Sequence, residues 1–138
     1  ILVNDPLKNI KLDLSIFDCN VIESEIETVF NNLDFNNNFA AFCGIGRPEK
    51  FFSSLNKSGI KLKFSKSFPD HHQYSEDEIM KIIEDANITK SEVLTTKKDW
   101  VRLPDNAKLM INYLDCRIKF HNITKLQENL DKIIEIIE

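Results

Sequence analysis

The sequence predicts an α/β fold, a largely parallel sheet flanked by helices, and three observations carry that prediction. Apolar or alternating runs that read as strands recur at 39–43, 60–64, 93–96 and 114–120. Between them lie helical signals, from Pro48 to Gly59, from Ser75 to Ala86, and in a short stretch near Lys98–Leu103. Strand and helix thus alternate, the pattern that builds a parallel sheet with helices on its faces. A chain of 138 residues suits one domain, able to bury about two-thirds of the surface its unfolded form exposes.

Each element has its own reason. The chain opens Ile1-Leu2-Val3-Asn4 without a Met, an apolar run before the turn formers Asp5 and Pro6. It reads as the last strand of something upstream, and the chain as a piece of a longer protein. Leu12, Leu14 and Ile16 alternate with Lys11, Asp13 and Ser15, the period-two signature of a half-buried strand. Residues 19–34 carry two patterns at once. Ile22, Ile26, Val29 and Phe30 fit a helical face, while Glu23, Glu25 and Glu27 alternate, so no element is assigned there. Asn36-Asn37-Asn38 is a turn.

Phe39-Ala40-Ala41-Phe42-Cys43 is wholly apolar and reads as a buried strand. Gly44-Ile45-Gly46 turns the chain, and Pro48 stands at a first helical position, where its missing N–H is no loss. Phe51, Phe52 and Leu55 share a face of that helix, which Gly59 ends as a left-handed residue. Ile60, Leu62 and Phe64 alternate with Lys61, Lys63 and Ser65, so a strand follows. After the loop Phe68–Tyr74, Ser75 and Glu78 have capping-box spacing, and Ile79, Ile83 and Ala86 give the helix its apolar stripe. Val93–Thr96 is a buried strand, followed by the short helix that ends at Pro104, with Trp100 in packing and Arg102 on the surface. Leu114, Cys116, Ile118 and Phe120 alternate with Asp115, Arg117 and Lys119 in a last strand, and Leu126, Leu130, Ile133, Ile134 and Ile137 form a final helical stripe.

Composition excludes several classes. The 42% hydrophobic and 29% charged content is that of a soluble globule, and 3 Gly with 4 Pro is neither a linker nor collagen-like. The balance of 18 basic against 22 acidic residues, net −4, argues against a partner in duplex nucleic acid. No apolar run approaches the length of a membrane span. Three cysteines, at 19, 43 and 116, make no CxxC pair, which predicts free, largely buried thiols in a reducing compartment.

The chemistry-bearing residues fall in three loops, Gly44–Pro48, Pro69–Tyr74 and Thr95–Asp99, each after a predicted strand. Ligands on parallel sheets bind beyond such strand ends. The N–H groups of Gly44-Ile45-Gly46 could receive an anion at the helix start, with Arg47 adding charge; a tight turn that needs glycine dihedrals explains them as well. Asp70-His71-His72 has the makings of a carboxylate that orients an imidazole, or of two polar loop histidines that point apart. Lys98 could neutralise phosphate while Asp99 caps the next helix, or the pair is an ordinary strand-to-helix cap. No GxxxxGK[ST] phosphate-binding loop occurs in the chain. A metal-dependent phosphoesterase built on Asp-His-His would need further ligands, and only His121 remains among the histidines.

Taken in order, these motifs resemble one family. Ala41-Phe42-Cys43-Gly44-Ile45-Gly46-Arg47-Pro48-Glu49-Lys50-Phe51-Phe52 is similar to the AFxGIGxPxxFF signature of the tetraacyldisaccharide 4'-kinases, which phosphorylate the lipid A precursor. Phe68-Pro69-Asp70-His71-His72-Gln73-Tyr74 is similar to FPDHHxY, and Leu94–Leu103 to LTTEKDxVRL, with Lys97 where that family usually has Glu.

The resemblance implies a bacterial enzyme of two lobes. The N-terminal lobe would carry the phosphate-binding loop, the magnesium carboxylates and the base, and this chain would be the second lobe with its connections. It implies boundaries at 1–20 for the end of the kinase lobe and the connection, 21–112 for the second lobe, and 113–138 for a returning strand and helix. Residues near 10–18 and 113–120 would form a two-stranded connection between lobes. The reaction implied is transfer of the ATP γ-phosphate to the 4'-hydroxyl of a tetraacylated glucosamine disaccharide, with ATP and Mg²⁺ bound mainly by the other lobe. His71 and Asp70 match the family's catalytic dyad, His71 acting on the first lobe's carboxylate and Asp70 orienting His71. Gly44, Gly46, Arg47, His72, Lys98 and Asp99 are the expected substrate- or phosphate-binding residues, with no metal ligand among them. The same resemblance implies a cytoplasmic place at the inner face of the inner membrane, with peripheral membrane contact. A non-catalytic partner-binding or remnant lobe is the alternative, and the phosphoesterase a further one.

Overall fold

The computed structural model describes residues 2–3, 22–30 and 33–137, with 2–3 and 135–137 by backbone alone. Its elements in chain order are β1 (Leu2–Val3), β2 (Glu23–Phe30), β3 (Asn38–Cys43), α1 (Pro48–Lys57), β4 (Lys61–Ser67), α2 (Glu76–Ile88), β5 (Ser91–Thr96), α3 (Lys97–Trp100), α4 (Asp105–Lys108), β6 (Ile111–Phe120) and α5 (Ile123–Ile137). The predicted strand at Leu12–Ile16 lies outside the described residues. The ambiguous stretch is resolved in favour of a strand, β2. The short fourth helix was not foreseen, because its four residues are too few to show periodicity.

The chain divides into two compact units, one of Ile1–Glu27 with Cys116–Glu138 and one of Thr28–Asp115. The N-terminal and C-terminal stretches thus share a unit. In the second unit four strands pair in the order β6-β5-β3-β4, every pairing parallel. This is the parallel sheet that the alternation of elements predicted.

β3 is the centre of that sheet and its residues are fully buried from Phe39 to Cys43. Alternate side chains go to opposite faces. Phe39, Ala41 and Cys43 join Phe51 and Leu55 of α1, while Ala40 and Phe42 join Ile79, Ile82, Ile83 and Ala86 of α2. Each large apolar side chain so buried contributes about 1.5–3 kcal/mol. Thr95, also fully buried, satisfies its hydroxyl by donating to the Phe42 carbonyl at 2.8 Å.

The strand β4 departs from simple alternation. Phe39 lies opposite Leu62, but Ala40 lies opposite Phe64, so Lys63 is an extra residue at a bulge. A bulge reverses the faces beyond it. Leu62 therefore packs with the α1 layer and Phe64 with the α2 layer, although the sequence places both on one face. β4 is the edge of the sheet, with Lys61, Lys63 and Lys66 exposed. Lysines and a bulge are the usual protection of an edge strand against pairing with another chain.

The helix ends follow their sequence signals. Pro48 opens α1, and Gly59 follows it at φ 81°. Ser75 accepts the Glu78 N–H and the Glu78 side chain accepts the Ser75 N–H, completing the capping box. Trp100 is a packing residue, its Nε1 donating to the Ile111 carbonyl at 3.0 Å beside the Tyr113 ring.

In the first unit β1 pairs with β2 in parallel, and β2 neighbours β6. His121 N–H donates to the Glu23 carbonyl and Lys119 pairs with Glu25, a falling register that makes this pair antiparallel. Ile123, Leu130, Ile133 and Ile134 of α5 are exposed. Cys116 is exposed too, against the expectation of buried thiols; the outer half of β6 leaves residues 116–119 open.

Candidate functional site

The three motif loops follow β3, β4 and β5, three neighbouring parallel strands, so their C-terminal ends open side by side. Beneath them Phe42, Phe68 and Tyr74 pack edge to face, with ring centroids 5.2–6.2 Å apart. That aromatic floor fixes where the polar residues emerge.

At the exposed rim the structure brings Asp70, His71 and Lys98 together. Lys98 Nζ donates to Asp70 Oδ1 at 3.3 Å and lies 3.5 Å from His71 Nε2. Gly46 adjoins them, since a Cβ there would lie 3.5 Å from Asp70 Oδ2. Desolvation pushes the Asp70 carboxyl up, but the Lys98 hydrogen bond and charge, with His71, outweigh it and hold Asp70 below its ordinary value.

The dyad differs from expectation in its details. Asp70 Oδ2 stands 3.9 Å from His71 Nε2, ion-pair distance and too long for a hydrogen bond. Asp70 acts instead on the backbone, its Oδ1 accepting the His71 N–H at 3.0 Å. The His71 N–H also donates to the Gly44 carbonyl at 3.2 Å. With these bonds His71 adopts φ 60°, a left-handed conformation that costs a side-chain-bearing residue about 1 kcal/mol.

His72 takes the other direction. It stacks on Phe68 and its Nε2 meets both Glu78 carboxylate oxygens at 3.0–3.1 Å. The two histidines thus point apart, and His72 is engaged with Glu78 of the α2 capping box.

Asp99 is the larger correction. It was expected among the ligand-binding residues and as a helix cap, yet it is fully buried, and Thr96 provides the cap by accepting the Asp99 N–H. The Asp99 carboxylate accepts from Gly44 N–H at 3.1 Å, the Tyr74 hydroxyl at 3.0 Å, the Thr96 hydroxyl at 2.6 Å and the Arg102 guanidinium. The anion that the Gly44 turn receives is therefore the protein's own. Burial, then the Asp99 charge and hydrogen bond, push the Tyr74 hydroxyl far up, so it remains a donor.

Arg102, expected on the surface, is the cation of this centre. Its guanidinium pairs with Asp99 and donates to the carbonyls of Lys98, His72 and Gly44 at 3.1, 3.3 and 3.4 Å. Nothing in the reading of the loops pointed to it, although its i,i+3 spacing from Asp99 was a visible signal. Arg47 sits exposed just before Pro48 at the start of α1. Lys97 donates to Asp115 at 2.6 Å.

A parallel α/β layer with glycine, carboxylate, imidazole and ammonium groups at adjoining strand ends defines an α/β domain with a polar strand-end site. The chain belongs to the tetraacyldisaccharide-1-P 4'-kinase (LpxK) family, which it matches over residues 5–135. It is 30% identical over 131 residues to the tetraacyldisaccharide 4'-kinase of Rickettsia bellii, covering 95% of this chain and 40% of that one. It is 46% identical over 79 residues to the enzyme of that name in Chlorobaculum parvum, covering 56% of this chain and 22% of the other. Among solved structures it is similar to LpxK from Aquifex aeolicus, crystallised with ATP, at 25% identity and a TM-score of 0.47 over 80% of this chain and 36% of that one. The chain thus spans about two fifths or less of the length of these relatives.

Proposed function

We propose that the protein containing this chain transfers the ATP γ-phosphate to the 4'-hydroxyl of a tetraacylated glucosamine disaccharide, a step in lipid A synthesis, and that this chain supplies the second lobe of the site. The observation that carries the reading is the meeting of Asp70, His71 and Lys98 at the strand ends of a chain of this family. Phosphoryl transfer depends mostly on positioning and charge neutralisation. Lys98 supplies a positive charge at the rim, and Asp70 holds it there. His71 projects its imidazole from a fixed backbone and supports a carboxylate base provided by the rest of the protein. Gly46 lies beside Asp70, and Arg47 follows it at the start of α1.

ATP and Mg²⁺ belong elsewhere in this reading. The chain has no phosphate-binding GxxxxGK[ST] loop. Among the described residues no three His, Cys, Asp or Glu side chains gather as metal ligands, and the rim carboxylate, Asp70, is paired with Lys98. We place both on the remainder of the protein. No helix of the described residues is long and apolar enough to cross a membrane, and we place the protein at the inner face of the inner membrane through peripheral contact with its lipid substrate.

The test is an assay of the full-length protein with radiolabelled ATP and tetraacyldisaccharide 1-phosphate. Label in the lipid, reduced in His71→Ala and Lys98→Ala, is the expected result. No transfer by the purified wild-type protein would favour a non-catalytic lobe instead.

A further inference from the structure

We infer that the Asp99–Arg102 pair, its carboxylate buried and its guanidinium partly so, is the positioning device of the site, and that Arg102 sets His71 by bonding both the carbonyl that accepts the His71 N–H and the carbonyl of His72. The inference rests on the reading that His71 serves the chemistry. A single guanidinium accounts for the placement. Arg102 Nη2 reaches the Gly44 carbonyl, the same oxygen that accepts the His71 N–H. Arg102 Nη1 reaches the carbonyl of His72, the next residue in the chain. Arg102 Nε reaches the carbonyl of Lys98, the other cation at the rim. Asp99 completes the set by holding Gly44 N–H and the Tyr74 hydroxyl. Each of the three loops is therefore tied to this one pair.

Stability alone is a weak reason for such an arrangement. An ion pair that takes its carboxylate wholly and its guanidinium mostly out of water gains little over well-packed apolar residues. What it provides is direction. A planar guanidinium presents its donors in a fixed fork, and an ammonium does not. His71 needs that fixity, since its left-handed backbone holds only where neighbouring bonds determine it.

The experiment compares Arg102→Lys and Arg102→Ala with wild type in the full-length protein. Arg102→Lys keeps the charge beside Asp99 but not the fork. A misplacement of about 1 Å costs on the order of 10²-fold in rate, so kcat should fall by roughly that factor while KM for both substrates changes by less than about threefold. Methylguanidinium added to Arg102→Ala should recover part of the lost kcat, and ammonium should recover none. A second readout is independent of activity. Hydrogen exchange of the His71 amide should quicken in both variants while amides of β3 and β5 keep their wild-type rates. Wild-type kcat in Arg102→Lys would overturn the inference, as would unchanged protection of the His71 amide. Absence of kinase activity in the wild type would instead count against the proposed reaction and leave the exchange measurement to decide the positioning role.

Discussion

Gly44 and Asp99 are joined so closely that a side chain in place of the glycine is crowded. The Gly44 N–H donates to the Asp99 carboxylate, and a Cβ on Gly44 would lie 2.8 Å from the Tyr74 hydroxyl, 3.1 Å from the Pro69 carbonyl and 3.3 Å from Asp99 Oδ1. The glycine of the strand-end turn is required by this approach, not by its own dihedral angles. Overpacking of this kind costs about 1–3 kcal/mol. Gly44→Ala should lower the urea midpoint accordingly. Tyr74→Phe removes the nearest obstacle, so the double variant should lose less than the sum of the two single losses. Strict additivity would show that the crowding is relieved some other way.

Cys43 should be silent to thiol reagents in the folded protein. Burial first, then the charge of Asp99, push its thiol up to about 12 from an ordinary 9.0, and the thiolate is the reactive form. The sign follows from the raised value: the neutral thiol favours the fold below pH 9, and that contribution is lost as pH rises toward 12. Cys116 is exposed. Iodoacetamide at pH 8 with peptide mapping should mark Cys116 and leave Cys43 untouched until denaturant is added. Native labelling of Cys43 at the rate of Cys116 would contradict the burial.

The fold was legible where local chemistry and burial agree. The all-apolar run 39–43, the Pro48 start, the Gly59 stop and the Ser75–Glu78 box each name their own structure, and each is found. Phe64 shows where legibility ends: alternation gives a face only while register holds, and the bulge at Lys63 is a property of pairing with β3. The site divides in the same way. Strand-end placement of Gly46, Asp70, His71 and Lys98 follows from element order. Arg102 was placed on the surface because a charged residue reads so, and the burial of Asp99 beside it depends on partners in loops distant in sequence, Gly44 and Tyr74. The resemblance to the kinase family named the motifs, but motif letters do not say which of them face a ligand and which hold one another.

Glu78 should make the protein sensitive to acid. The Ser75 N–H, then the His72 ring, hold its carboxyl below the ordinary 4.5. A group depressed in the folded state stabilises it above the unfolded value and loses that contribution as pH falls through the folded one. Stability should therefore decline as pH drops from just above 4.5 downward. Glu78→Gln keeps the shape and removes the titration, so its urea midpoint should vary less over the same interval. Ser75→Ala removes the cap itself and should cost about 1 kcal/mol at neutral pH. An identical pH profile in Glu78→Gln would assign the acid sensitivity to other carboxylates, Asp70 first among them.

His71 separates what the backbone needs from what the chemistry needs. At φ 60° a glycine is at ease, whereas histidine or alanine is strained by about 1 kcal/mol. His71→Gly should therefore be more stable than His71→Ala by about that amount, although both lack the ring. Chemistry should not follow stability. If the imidazole supports the base, both variants in the full-length protein lose kcat by about 10²–10⁴-fold, with KM for ATP and lipid little changed, because such support acts in the transition state. The two substitutions should then be alike in activity while they differ in denaturation midpoint. A loop that merely turns the chain gives the opposite ordering: glycine, the better turn residue, would match or exceed wild type in both measurements. Wild-type kcat in His71→Gly would thus strip the imidazole of its role and leave the left-handed residue as a turn and nothing more.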